Sequence, residues 1–335
     1  MTILSYAAQS ATSPLAPLQI PRRAPNADDV VIDILYCGVC HSDLHTARND
    51  WKNTIYPVVP GHEIIGTIQA LGSNVNHLKI GQRVGLGWFS SSCMVCPECL
   101  SGSHNLCGKA EGVLVGRFGG FADTVRAHKI WAIPLPEGID PEKAGPLFCG
   151  GITVFNPIIQ HRASALSRVG VVGVGGLGHL AVKFLKAWGA EVTAFSSTPE
   201  KEKEALAMGA HHFANSRDAE NLEKLTAYFD LIIVTVNVDL NWPAYISMLA
   251  PKGVLHFAGA VHSFTSNVFP LIGGQKSISG SPLGSPAAIL NMLDFCRRHH
   301  IEPITETYPL SKVNDAIEKL KSGNARYRLI LKSDF

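Results

Sequence analysis

The sequence predicts a two-part α/β protein, a β-rich domain combined with a doubly wound parallel sheet. Three observations carry that expectation. The length of 335 residues exceeds what a single hydrophobic core usually organises. The first part of the chain sets short β-branched runs between glycine-rich bends. From Val169 the pattern changes to strand, glycine-rich turn, amphipathic helix and strand, the opening of a βαβ unit.

Taken in order, DDVVIDILY at 28–36 alternates like a strand, and GHEIIGTIQALG at 61–72 does so again. RVGVVG, beginning at Arg168, reads as a buried strand, HLAVKFLKAWG as a helix packed on it, and EVTAF as the next strand. LIIVTV at 231–236 and VLHFAG at 254–259 each follow a helical stretch, so a parallel sheet is the natural assembly. Beyond Gly284, AAILNMLDFCRRHHI is apolar at helical spacing, and YRLILK reads as a strand able to return to the first domain.

Composition narrows the function. Hydrophobic residues make up 46% and charged residues 17%, so a core forms readily. The formal net charge is +2, and the pairs Arg22-Arg23 and Arg297-Arg298 are isolated. No electrostatic footprint for nucleic acid or an anionic membrane results, which leaves small-molecule chemistry as the expectation. The N-terminus lacks a basic segment leading into an apolar core, and no apolar run reaches the roughly 18 residues of a membrane span. A cytoplasmic location is expected.

The eight cysteines are not spaced like a disulfide framework. Cys93, Cys96, Cys99 and Cys107 follow C-x2-C-x2-C-x7-C, so four thiolates can reach one tetrahedral zinc ion in a closed, structural shell. Cys40 in CGVCHSD, His62 and Glu63 in PGHE, and Cys149 in PLFCGG are scattered instead. Two thiolates and one imidazole would leave a fourth position on zinc for water or a substrate oxygen. Taken singly, each of these residues reads equally as a core cysteine or a satisfied histidine.

Gly173, Gly175 and Gly178, with Val174, Gly176 and Leu177 between them, form G-x-G-x-x-G directly after a strand and before a helix. In that context the loop is expected to hold a dinucleotide pyrophosphate at the helix N-terminus. An NAD site usually places a carboxylate about 20 residues on, at the end of the second strand. Here Ser196, Ser197 and Thr198 stand there, with Lys201 close by, which favours the 2′-phosphate of NADP(H). The alternatives are a ligand-free turn and hydroxyls that merely cap a helix near Pro199, and Glu200, Glu202 and Glu204 oppose the charge argument.

CGVCHSDLH, VPGHEIIG, the cysteine quartet, PLFCGGIT and VGVVGVGGLGHLAVK occur in the order found in zinc-dependent medium-chain alcohol dehydrogenases. Over nearly its whole length the chain resembles that family, most of all its cinnamyl alcohol dehydrogenase branch. The resemblance implies a GroES-like catalytic domain at 1–149 and 285–335, and a Rossmann domain at 150–284. It implies two zinc ions per chain and NADP(H), with Cys40, His62 and Cys149 holding the catalytic zinc and Glu63 approaching or replacing the exchangeable ligand; Cys37 is left out. Ser42 would pass the alcohol proton through the cofactor ribose towards His45, and Asp43 would orient His62, although a serine and aspartate there could simply cap a helix.

By the same likeness Thr153 and Ser281 would lie beside the cofactor, and the 196–201 stretch would hold the 2′-phosphate. The implied activity interconverts primary alcohols and aldehydes, aromatic or medium-chain, in a homodimer. Trp51, Trp88 and Leu283 could line an apolar pocket or belong to the core. The short loop between Cys107 and Gly119, and Trp88 ahead of the quartet, depart from the branch and bear on specificity. The rival readings are a zinc-free quinone reductase of the same fold and a non-enzymatic zinc-binding interaction protein.

Overall fold

The computed structural model describes residues 2–335, which divide into two compact units: the chain through Cys149 joined by Gly284–Phe335, and Gly150–Leu283. The first unit is built on the long strand Asp29–Val39. This strand pairs antiparallel with Glu63–Leu71, Thr124–His128 and Arg328–Lys332. The β-branched alternation of Val30, Ile32 and Ile34 buries one face of that strand. Each such side chain contributes about 1.5–3 kcal/mol on full burial.

Pairing the C-terminal strand to Asp29–Val39 has a functional consequence, because it carries Arg328, 4% exposed, into the first unit. On the neighbouring strand Gly38 stands opposite Glu63. A Cβ at Gly38 would lie 2.0 Å from the Glu63 carboxylate, so only glycine leaves room for that buried acid. A feature without a sequence signal is the N-terminal pair Thr2–Ala7 and Ala16–Pro21, joined antiparallel.

The second unit is a six-stranded, all-parallel sheet. Its order runs His212–Asn215, Glu191–Ser196, Arg168–Val172, Phe229–Val234, Leu249–Phe257 and Ser277–Gly280. The first strand in the chain therefore lies mid-sheet, with the next two on one side and the last three on the other, the doubly wound arrangement the sequence predicts. Val171, Ile232 and Ile233 are fully buried, as a sheet covered on both faces requires. The helix Gly178–Trp188 ends at Gly189, whose φ of 90° closes the last turn left-handed. Among the described residues no helix is long and apolar enough to cross a membrane.

Candidate active site and cofactor loop

Two clusters of metal-ligating side chains form in the first unit, in each of which the ligand atoms lie within 4.8 Å of one another. The first is Cys93, Cys96, Cys99 and Cys107. Local geometry explains it: Cys96 immediately precedes the short helix Pro97–Leu100, with Pro97 at its first position, and that helix carries Cys99. The turn His104–Leu106 then delivers Cys107. Backbone amides of Cys93 and Lys109 point at the Cys107 sulfur, each at 3.4 Å. Amides of Val95 and Cys96 bring the Cys93 thiol down to about 6, which favours the thiolate form that binds a cation.

The second cluster, Cys40, His62, Glu63 and Cys149, is buried throughout the site. Cys40 precedes the helix His41–Ala47, whose third residue, Asp43, serves two ends of its carboxylate differently. Oδ2 accepts the Cys40 amide at 2.9 Å, capping the helix. Oδ1 accepts the Gly61 amide and lies 2.8 Å from His62 Nδ1. One side chain thus both caps the helix and contacts the His62 ring. With Nδ1 held in this way, His62 Nε2 faces inward, 3.2 Å from the Cys149 sulfur.

Charge inside this cluster is arranged by burial and by neighbours. A hydrogen bond from the Cys149 thiol holds Cys40 well below the ordinary thiol range, with His62 and Arg328 assisting. Burial alone would strip His62 of its proton, but the Asp43 carboxylate outweighs that penalty and raises its pKa. Burial pushes the Glu63 carboxyl up, and Arg328 opposes the push. Arg328 ion-pairs with Glu63 Oε1 with both side chains buried, while Glu63 Oε2 has no hydrogen-bond partner. An unpaired buried oxygen beside two sulfurs and an imidazole fits a divalent cation, and the donor set suits zinc.

Aromatic rings stand next to these ligands. Trp88 meets the His62 ring edge-on at 5.0 Å, Trp51 meets Trp88 at 6.0 Å, and His45 meets Trp51 at 5.6 Å. His45 Nδ1 is fixed 2.8 Å from Asp50. Ser42 and His45 lie three positions apart on the same helix, hence on one face. Leu283 belongs to the other unit, and Cys37 lies outside both clusters.

In the second unit the glycine loop has the shape a phosphate ligand needs. Gly173 has φ 95°, and a Cβ at Gly178 would lie 1.8 Å from the Gly173 carbonyl oxygen, so the turn closes only with glycine at both places. At Gly175 an added Cβ meets nothing within 4 Å, which leaves space beside the backbone there, whereas Val174 before it is buried and Gly176 and Leu177 after it are half-buried. Two residues without a sequence signal brace the turn: Thr235 donates to Val172 and Gly173 carbonyls at 2.9 Å, and buried His179 lies 3.0 Å from the Gly175 carbonyl.

Lys201 donates to the Val174 carbonyl at 2.8 Å, which brings its ammonium to the glycine loop. Ser197 and Thr198 are exposed beside it, and Ser196 accepts the Thr198 amide, so no side chain of Thr198 caps the following turn. Thr153 sits in the first turn of the helix Gly150–Gln160. Ser281, just past the edge strand, lies 3.2 Å from His256 Nε2.

A closed thiolate quartet, a second open donor set and a glycine-loop sheet together define a zinc-binding dehydrogenase of medium chain length. The match to known proteins agrees. Residues 26–137 match the alcohol dehydrogenase GroES-like domain, and residues 176–298 match the zinc-binding dehydrogenase domain. The chain is 51% identical to aldehyde reductase AdhA of a Synechocystis strain over 98% of both proteins. A cinnamyl alcohol dehydrogenase from Sorghum bicolor superposes with TM-score 0.95 at 36% identity, over 99% of this chain and 98% of that one. The Helicobacter pylori enzyme of the same name, solved with NADP(H), gives TM-score 0.91 at 31% identity, over 99% and 98%. The chain belongs to the zinc-dependent medium-chain alcohol dehydrogenase family.

Proposed function

We propose that the protein is an NADP(H)-dependent aldehyde reductase and alcohol dehydrogenase, acting on aromatic or medium-chain primary alcohols and aldehydes as a cytoplasmic homodimer. The observation that carries this reading is the buried Cys40–His62–Cys149 donor set, with Glu63 behind it. When bound, zinc supplies Lewis-acid polarisation of a carbonyl or hydroxyl oxygen, and NADP(H) supplies or takes the hydride.

The chain's own residues do the rest. Cys40, His62 and Cys149 would hold the ion of the open site, and Asp43, 2.8 Å from His62 Nδ1, would keep the ring turned so that Nε2 faces it. Arg328 holds Glu63 in place and offsets the negative charge of the thiolates. Trp51 and Trp88 offer an apolar, aromatic wall beside His62, which suits an aromatic substrate and excludes water. Ser42 takes the alcohol proton and His45, braced by Asp50, receives it towards solvent. Gly173 to Gly178 would receive the pyrophosphate, Thr153 and Ser281 would contact the cofactor, and Ser196, Ser197, Thr198 and Lys201 would receive the 2′-phosphate.

The quartet Cys93, Cys96, Cys99 and Cys107 holds the structural zinc. A zinc-free quinone reductase has no use for two thiolates gathered around a buried imidazole, and a zinc-binding interaction module has none for the open glycine loop. For the homodimer, support comes from the edge strand Ser277–Gly280 and its neighbours: Val268, Phe269, Ile272 and Ile278 are all exposed there. The test is NADPH oxidation by zinc-loaded protein with benzaldehyde-like and aliphatic aldehydes. Turnover with both, and a higher kcat/KM for the aromatic series, is expected. No oxidation of NADPH with any aldehyde overturns the reading.

A further inference from the structure

The first unit contains a cavity of about 390 Å³ unconnected with either metal cluster by its lining, whose charged members are Arg22, Arg23, Arg117 and Arg126. Among the described residues no carboxylate lines it. Four guanidiniums around one hollow repel one another unless something anionic sits between them.

Existing carboxylates answer only part of that charge. Arg126 ion-pairs with Asp29 and Arg117 with Glu111. Arg22 and Arg23 have no ion-pair partner among the described residues. Arg22 spends two nitrogens on the carbonyls of Phe118 and Gly119, at 2.7 and 2.8 Å, which fixes the plane of its guanidinium. Its remaining Nε is buried without a hydrogen-bond partner. Burial draws Arg22 down to about 10 despite the nearby Asp123, and Arg126 feels Arg23 and Arg117 as like charges.

The rest of the wall is mostly apolar, Pro21, Val113, Phe118 and Val125, with Ser90 and Gly116 among them. A cavity of this volume is larger than one phosphate group, and a fork of guanidiniums matches phosphate oxygens bidentately. We propose that the Arg22–Arg23–Arg117–Arg126 pocket binds a small diphosphate-bearing anion, a ligand site separate from the cofactor loop of the other unit. Arg22 is the fixed, preorganised contact; Arg23 reaches the ligand from the exposed rim, and half-buried Arg117 turns to it from its pair with Glu111. Ligation there would tie the Arg22-bearing segment to the Phe118–Gly119 loop, and so stabilise the protein by mass action.

The experiment is calorimetric titration of inorganic pyrophosphate into three proteins: the native enzyme, Arg23→Ala/Arg117→Ala, and Ser197→Asp, which alters the cofactor site instead. Arg22 is left intact because it holds two backbone carbonyls. The native enzyme is expected to bind pyrophosphate with an affinity that falls as salt is raised. The double variant should bind at least about tenfold more weakly while keeping its aldehyde turnover, and Ser197→Asp should retain the native affinity at this site. Unchanged affinity in the double variant, loss confined to Ser197→Asp, or no pyrophosphate binding by the native enzyme would each overturn the proposal.

Discussion

The two metal clusters of the first unit use the same element of chemistry, the cysteine thiolate, in opposite ways. The quartet comes from a single loop in which a proline-started helical turn sets Cys96 and Cys99 and backbone amides hold the Cys107 sulfur. The open site draws Cys40, His62 and Cys149 from three distant segments, and its partners from further still: His62 and Cys149 are 87 residues apart, and Glu63 and Arg328 are 265 apart. A local site can be complete before the domain is packed, whereas the distant one exists only once the sheet has formed. The first therefore serves stability, and the second can leave a coordination position free for chemistry.

That contrast can be broken most sharply at Cys149. Replacing it by alanine is expected to abolish measurable aldehyde reduction, and native-like turnover would erase the distinction between the clusters. Asp43→Asn, read by zinc affinity and turnover together, should cost about 10–100-fold, because His62 loses the group that sets its tautomer. Ser197→Asp should raise KM for NADPH by about tenfold while sparing NADH, since a carboxylate there repels the 2′-phosphate; equal loss with both cofactors would contradict the 2′-phosphate assignment. His45→Gln should slow kcat by roughly tenfold with zinc content intact, the proton finding slower routes. Cys99→Ser should change turnover least of all, yet lower the thermal midpoint by several degrees, on the order of a few kcal/mol.

The same difference of range decides what could be read from the sequence. The doubly wound sheet was legible because strand, glycine turn and helix follow one another within one stretch from Arg168 to Ser196. The quartet was legible for the same reason, since its spacing is contained in one loop. Cys40, His62 and Cys149 singly resemble ordinary core residues, and only their motifs taken together pointed to one site. Arg328 carried no signal: it opens a short apolar strand, and nothing local says that antiparallel pairing with Asp29–Val39 brings it to Glu63. Thr235 and His179 were likewise silent, because bracing the glycine turn is a property of the packed sheet. The N-terminal strand pair carried no signal either, since the two prolines of Ala16–Pro21 speak against a strand.

The division of labour between the clusters is tested most directly by measuring zinc per chain and NADPH-dependent aldehyde turnover on the same preparations of native protein and Cys149→Ala. The account predicts a fall from about two zincs to about one, with turnover lost and the fold retained. Full turnover with one zinc missing, or loss of both zincs together, would contradict it.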